Sequence, residues 1–193
     1  MQEGTNGITS NTPKNVLFGA GTIHKGLKYT GSAWNFAESC IGATNGGSKL
    51  SIVPELTDVP VDGANVAVKG LKVKTGETAT MEINMAELTE ELIKLATIAT
   101  AGTSEDATFD MIIPKANIEE GDYLENIAFV GKTLDGRKVI AILENALCTS
   151  GFEQEGKTKE GAVGKYTFTC HADLDAVNLD TLPWKIYYPK TVA

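Results

Sequence analysis

Residues 41 to 49, IGATNGGSK, have the glycine spacing of a phosphate-cradling loop: Gly42 and Gly47 stand five positions apart and are followed by a serine and a lysine. Such a loop needs Lys first, to reach the β- and γ-phosphates, then Ser or Thr for Mg²⁺, at a helix start whose amides face the anion. Here Ser48 precedes Lys49, and the following LSIVPEL alternates like a strand and contains Pro54. No helix N-terminus is available, and nucleotide binding is not expected. GAGTIHKG at 19 to 26 has His24 where a dinucleotide fingerprint needs its third glycine, and again runs into a strand-like stretch. DLDAVNLD at 173 to 180 has Asn178 at the turn position and Trp184 at the twelfth, where a calcium loop needs Gly and Glu.

The remaining chemistry-bearing residues are sparse. Cys40, Cys148 and Cys170 are odd in number and far apart, which fits neither a disulfide framework nor a paired metal hook, so reduced, buried thiols are expected. His24 and His171 have no partner one helical turn away, and both are read as structural. No nucleophile elbow is present. No catalytic set, metal site or cofactor is therefore expected.

The formal charge of the 193-residue chain is −8, and Arg137 is the sole arginine among 17 basic residues. Nucleic-acid binders gain affinity from Lys and Arg on phosphates, so this balance argues against ordinary nucleic-acid binding. Only Arg137 could make a two-pronged contact to phosphate or guanine. No apolar run approaches the roughly 20 residues of a membrane-spanning helix, and no membrane partner is expected. Residues 1 to 14 are polar and are expected to form a flexible arm made in a cytoplasm, ahead of a single domain from 15 to 193.

The elements that would position these residues alternate with period two. Segments 49–56, 66–74, 78–88, 107–114, 123–132, 138–148, 164–173 and 184–189 all read as strands, and at least eight strands imply a β-sandwich or barrel. Asp135-Gly136 marks a hairpin. The stretch TEELIKLATIA breaks the period: Thr89 is placed to cap a helix of about 9 to 10 residues, with Glu90 and Glu91 at its positive end. Leu92, Ile93, Leu95 and Ile98 are read as core residues. In TATMEINMAEL, polar Thr78, Thr80, Glu82 and Asn84 alternate with Ala79, Met81, Ile83 and Met85, which predicts one wet face and one packed face. Two long loops are expected. The first, at about 30–48, is anchored by Trp34 and Phe36; the second, at 149–163, carries Glu153, Glu155, Lys157, Lys159 and Glu160. Loops of that length inside one domain are usually functional, and contact with other protein is expected of both.

Taken in order, NVLFGAGTIHKG, IGATNGGSKLSIVPEL, VDGANVAVKGLKV, ATMEINMAELTEELIKL, ILENAL and YTFTCHADLDAVNLDTLPWKIYYP resemble the major tail tube proteins of long-tailed, siphovirus-like bacteriophages over about residues 15 to 190. The resemblance implies a β-sandwich with one flanking helix, akin to type VI secretion and contractile-tail tubes. It also implies stacked hexameric rings whose inner strands fuse around a channel, with double-stranded DNA as passing cargo during ejection. Its implied partners are further copies of itself and the tail tape measure, terminator and baseplate proteins, in a virion assembled in the host cytoplasm. On that reading Thr78, Thr80, Glu82 and Asn84 line the lumen and the 149–163 loop joins subunits or rings. Gly42, Gly46, Gly47, Gly63 and Gly70 match the family's glycine-dependent strand junctions and loops, where positive φ or close approach is needed. Six such chains make a strongly negative ring that repels DNA rather than holding it. A monomeric or trimeric virion decoration or adhesin, or the tube of a tail-derived bacteriocin, are the alternatives.

Overall fold

The computed structural model describes residues 5–154, 158, 161–175 and 179–190. Among them run nine strands: β1 (Leu17–Lys25), β2 (Thr44–Asp58), β3 (Lys72–Met85), β4 (Ala99–Gly102), β5 (Met111–Pro114), β6 (Leu124–Thr133), β7 (Lys138–Cys148), β8 (Gly164–Cys170) and β9 (Trp184–Tyr187). Two single turns, α1 (Thr12–Asn15) and α2 (Phe36–Ser39), accompany one longer helix, α3 (Glu90–Thr97). The protein is mainly β with a short helix, as the alternation predicts.

Seven strands form one antiparallel sheet in the order β1-β6-β7-β8-β3-β2, with β9 also paired to β7. Residues Ile140–Leu143 of β7 pair with β9 and Ala146–Cys148 pair with β8, so β8 and β9 lie end to end along one side of β7. At their junction Asn145 takes a φ of 47°, and its carbonyl accepts the His171 amide at 3.2 Å. The sheet curls until its outer strands meet at one end: Ile41 N–H donates to the Ile23 carbonyl at 3.1 Å, beside a bridge between His24 and Cys40. The result is a partly closed barrel, joined among the described residues along a short seam through the segment before β2.

Inside the barrel lies the main core, with Ile23, Met81, Ile83, Met85, Ile127, Leu143, Tyr166 and Phe168 almost wholly buried. β6 and β7 are buried on both faces, which explains their unbroken apolar runs IAFV and VIAIL. Their outer face, Ala128, Val130, Ile140 and Ile142, is covered by Leu27, Trp34 and Phe36. Trp34 and Phe36 therefore anchor the 30–48 segment to the chain's own sheet. That segment is also less irregular than its composition suggests, because α2 interrupts it and residues 44–48 already belong to β2.

α3 starts where the sequence places it. The Thr89 side chain accepts the Leu92 amide at 3.3 Å, and Leu92 and Ala96 press into the core. A cap of this kind is worth about 1 kcal/mol. The helix stops after eight residues because Ile98 adopts a left-handed conformation, φ 51°, which is unusual for a β-branched residue.

Two strand expectations are corrected. Residues 66–71 form turns rather than strand, and β3 begins only at Lys72. Of 107–114 only Met111–Pro114 is strand, paired with β4 in a separate two-stranded sheet. β1 is an addition, interrupted by Gly19 and Gly21, where two extra residues separate its pairings to Lys132 and Val130. Within the segment 1–14, expected to be a flexible arm, α1 begins at Thr12, and the Asp135 N–H of the β6–β7 turn donates to the Pro13 carbonyl at 3.3 Å.

Candidate assembly interface

The face of β3 opposite the core is the one expected to be wet, and it is. Ala79, Met81, Ile83 and Met85 are buried, Thr78 and Glu82 are exposed, and Thr80 and Asn84 are half-buried. Register adds partners that the local sequence cannot disclose. Glu82 lies opposite Lys49 of β2, and their side chains form an ion pair at 2.8 Å. Asn84 lies opposite Lys165 of β8. It donates from Nδ2 to the carbonyls of Gly47 (3.1 Å) and Gly46 (3.4 Å). Thr80 faces Thr169 and Glu82 faces Thr167 on β8. This face is thus hydroxyl-rich, with Lys49, Lys165 and Glu82 grouped around the middle of β3 and Glu55 further along β2.

The glycines have local causes. Three residues of β2, Asn45 to Gly47, oppose the single Asn84 of β3. This bulge is made possible by φ values of 90° and 83° at Gly46 and Gly47, which side chains resist. Gly42 has φ 133°, and a Cβ there would stand 2.9 Å from the Glu87 carboxylate. Gly63 and Gly70 also have positive φ. They lie in the turn between β2 and β3.

β3 pairs with β8 only from Thr80 to Met85, while β2 and β3 continue to pair with each other as far as Asp58 and Lys72. Beyond Ala79 they form a two-stranded arm with a tip at 59–71, closed by Val59 N–H on the Leu71 carbonyl at 2.7 Å. An indole N–H of Trp184 donates to Glu77 and ties the base of the arm to the body. Val53, Leu56, Val59, Val61, Val66, Val68 and Val73 are all exposed, Val66 at 77%. Val53 continues the wet face and Leu56 the core face, so apolar groups stand on both sides of the ribbon. A lone ribbon cannot bury either side, and an apolar surface of this kind marks a contact with another molecule. Among the described residues β2 pairs with β3 alone, which leaves it an outer edge where Pro54 is tolerated.

Glu153 is exposed; Glu155, Lys157, Lys159 and Glu160 lie outside the described residues, as does part of the stretch 173–180. Arg137 is not free for phosphate: it donates to Asp135 (2.7 Å), to the Lys14 carbonyl (2.7 Å) and to that of Lys190 (3.5 Å). Cys148 and Cys170 are buried, and burial pushes the Cys170 thiol up to about 11. Cys40 is exposed, contrary to the expectation of three buried thiols, because it sits at the seam edge after α2. Among the described residues no cluster of His, Cys, Asp and Glu could hold a metal ion, and no helix is long and apolar enough to cross a membrane.

His24 is a structural group at the seam. Its Nε2 pairs with Thr22 Oγ1 at 2.8 Å and its Nδ1 with Ser39 Oγ at 2.9 Å, while Ser39 donates to the Asn35 carbonyl. The neutral ring satisfies this chain. Burial, assisted by the nearby Lys138 ammonium, holds the His24 pKa below its usual 6.5. The unfolded chain therefore takes up a proton first as pH falls, and stability present above pH 6.5 is lost on acidification. The urea midpoint is expected to be flat from pH 8 to 7 and to drop between 6.5 and 5, with that drop removed in His24→Gln. Persistence of the same drop in the variant would assign it to other groups.

No protein-family model matches the sequence, and no curated protein matches it.

Proposed function

We propose that this protein is the structural subunit of a phage tail tube, self-assembling into stacked hexameric rings around a channel for double-stranded DNA. The observation that carries the reading is the β2–β3 arm, with apolar side chains on both faces and a strand edge that pairs with no other strand among the described residues. Pairing such edges around a closed ring removes an aggregation hazard and makes assembly the function. The ordered resemblance to tail tube proteins supplies the geometry of the ring and its partners, the tape measure, terminator and baseplate proteins. Thr78, Thr80, Glu82 and Asn84 are the proposed lumen face. What supports them is the alternation against the core and the hydroxyl content of the face, not acidity. The 149–163 loop is a second proposed joint between subunits or rings.

The test is direct. Purified protein, concentrated or seeded, is expected to form rings or tubes with a central hole in negative-stain electron microscopy, and to dissociate on dilution. Featureless particles of one fixed mass at every concentration would leave a monomeric decoration protein as the better reading.

A further inference from the structure

The tube reading does not say which surface of a neighbouring copy receives the arm. Beside β1 lies an open cavity of about 520 Å³ with Phe18, Phe36 and Val130 among its walls and Lys132 and Lys138 both lining it and exposed. That volume is in the range of a real binding cleft. Phe18 is 72% exposed, and Val16 and Leu17 beside it are exposed too. Between Leu17 and Gly21 the side of β1 away from β6 bonds to no strand among the described residues. The cavity is thus an apolar cleft under a free sheet edge.

We propose that this cleft is the receptor for the β2–β3 arm of a second copy of this chain, with Val59, Val61 and Val66 covering Phe18 and the arm's acids facing the lysines. Charge selects this occupant. Lys132 and Lys138 have no carboxylate partner among the described residues; Lys138 stands instead 3.6 Å over the Phe36 ring. Glu55 and Asp62 on the arm likewise make no ion pair, whereas Asp58 is taken by Lys72. Two unpaired acids against one unpaired cation, Lys69, leave these free charges of the apolar projection net negative, and the two unpaired cations around the apolar cleft complement them. Arm and cleft are different patches, so the contact is head-to-tail, and it propagates into a ring or filament rather than stopping at a dimer.

The proposal rests on self-assembly, and its test separates the two ideas. Sedimentation velocity of the full-length chain across concentration is compared for wild type, Lys132→Glu/Lys138→Glu, Glu55→Lys/Asp62→Lys and all four together. Each double variant is expected to raise the concentration needed for assembly at least tenfold, and the fourfold variant to restore most of that loss. Added salt weakens wild-type association, as screening requires. A wild type that assembles alongside an unaffected lysine variant, or a fourfold variant no better than its parents, overturns the arm–cleft contact and leaves the tube reading standing. A wild type that stays monomeric overturns both.

Because Lys138→Glu removes the contact with Phe36, a second measurement keeps the fold intact. Cys40 lines the cleft and is exposed, while Cys148 and Cys170 are buried. Val61→Cys treated with a short bis-maleimide is expected to give covalent ladders that wild type does not. Ladders equal to those of wild type would overturn the proposal.

Discussion

Replacing the arm tip, residues 59–71, by an Asn-Gly turn between Asp58 and Lys72 is expected to abolish ring and tube formation while leaving the monomer folded. Asp58 and Lys72 are already opposite one another and ion-paired, so a two-residue turn can close the hairpin without moving the register. The shortened chain loses Val59, Val61, Val66 and Val68, none of which belongs to the core. Full burial of such side chains is worth about 1.5–3 kcal/mol each, of which only a surplus survives the cost of association. A net loss of even ~3 kcal/mol raises the concentration required about 100-fold. Thermal unfolding of the monomer should shift by no more than the ~2–4 °C that accompanies ~1 kcal/mol in a domain of this size. Tubes of normal length from the shortened chain would show that the arm is not the joint, and a monomer that no longer folds would place the tip within the fold.

The largest effect on the monomer itself is expected at Phe168. This ring is 1% exposed in the centre of the barrel, on the strand that joins β3 to β7, and it meets α3 from inside. Phe168→Ala should cost about 3–5 kcal/mol, against a total stability of about 5–15 kcal/mol for a typical domain. A urea titration at pH 7.5 is the measurement, with the slope unchanged and the midpoint strongly lowered. Phe168→Leu should cost much less, because it keeps most of the volume. A loss below about 1 kcal/mol in the alanine variant would mean that the barrel interior collapses around the gap.

What could be read from the sequence was what depends on near neighbours. The wet and dry faces of Thr78–Met85 follow from alternation alone, and α3 announces itself through Thr89, Glu90 and Glu91. The hairpin at Asp135-Gly136 was legible for the same reason. Pairings across strands were not. Lys49 meets Glu82, and Asn84 meets the bulge at Gly46 and Gly47, only because of register between segments some 35 residues apart, which no local pattern encodes. Alternation also misled at 66–71, where spaced valines look like a strand but stand exposed on a projecting tip. β1 was hidden for the opposite reason, since Gly19 and Gly21 break the pattern of a strand that pairs well on either side of them.

The hydrogen bonds of Arg137 have a practical reach. One guanidinium grips the backbone at Lys14 and at Lys190, and the Tyr188 hydroxyl reaches Asn15 at 3.0 Å. The segments by which the chain joins and leaves the barrel are thus held side by side at the β6–β7 turn. A short linker from Lys190 back to Lys14 would span them, and the chain could then be cut open elsewhere, giving a circular permutant with the same strand order. Fluorescent or affinity labels fused before Lys14 and after Lys190 would emerge at one spot, remote in sequence from the arm, so an assembly could be decorated at a single repeating position on each subunit.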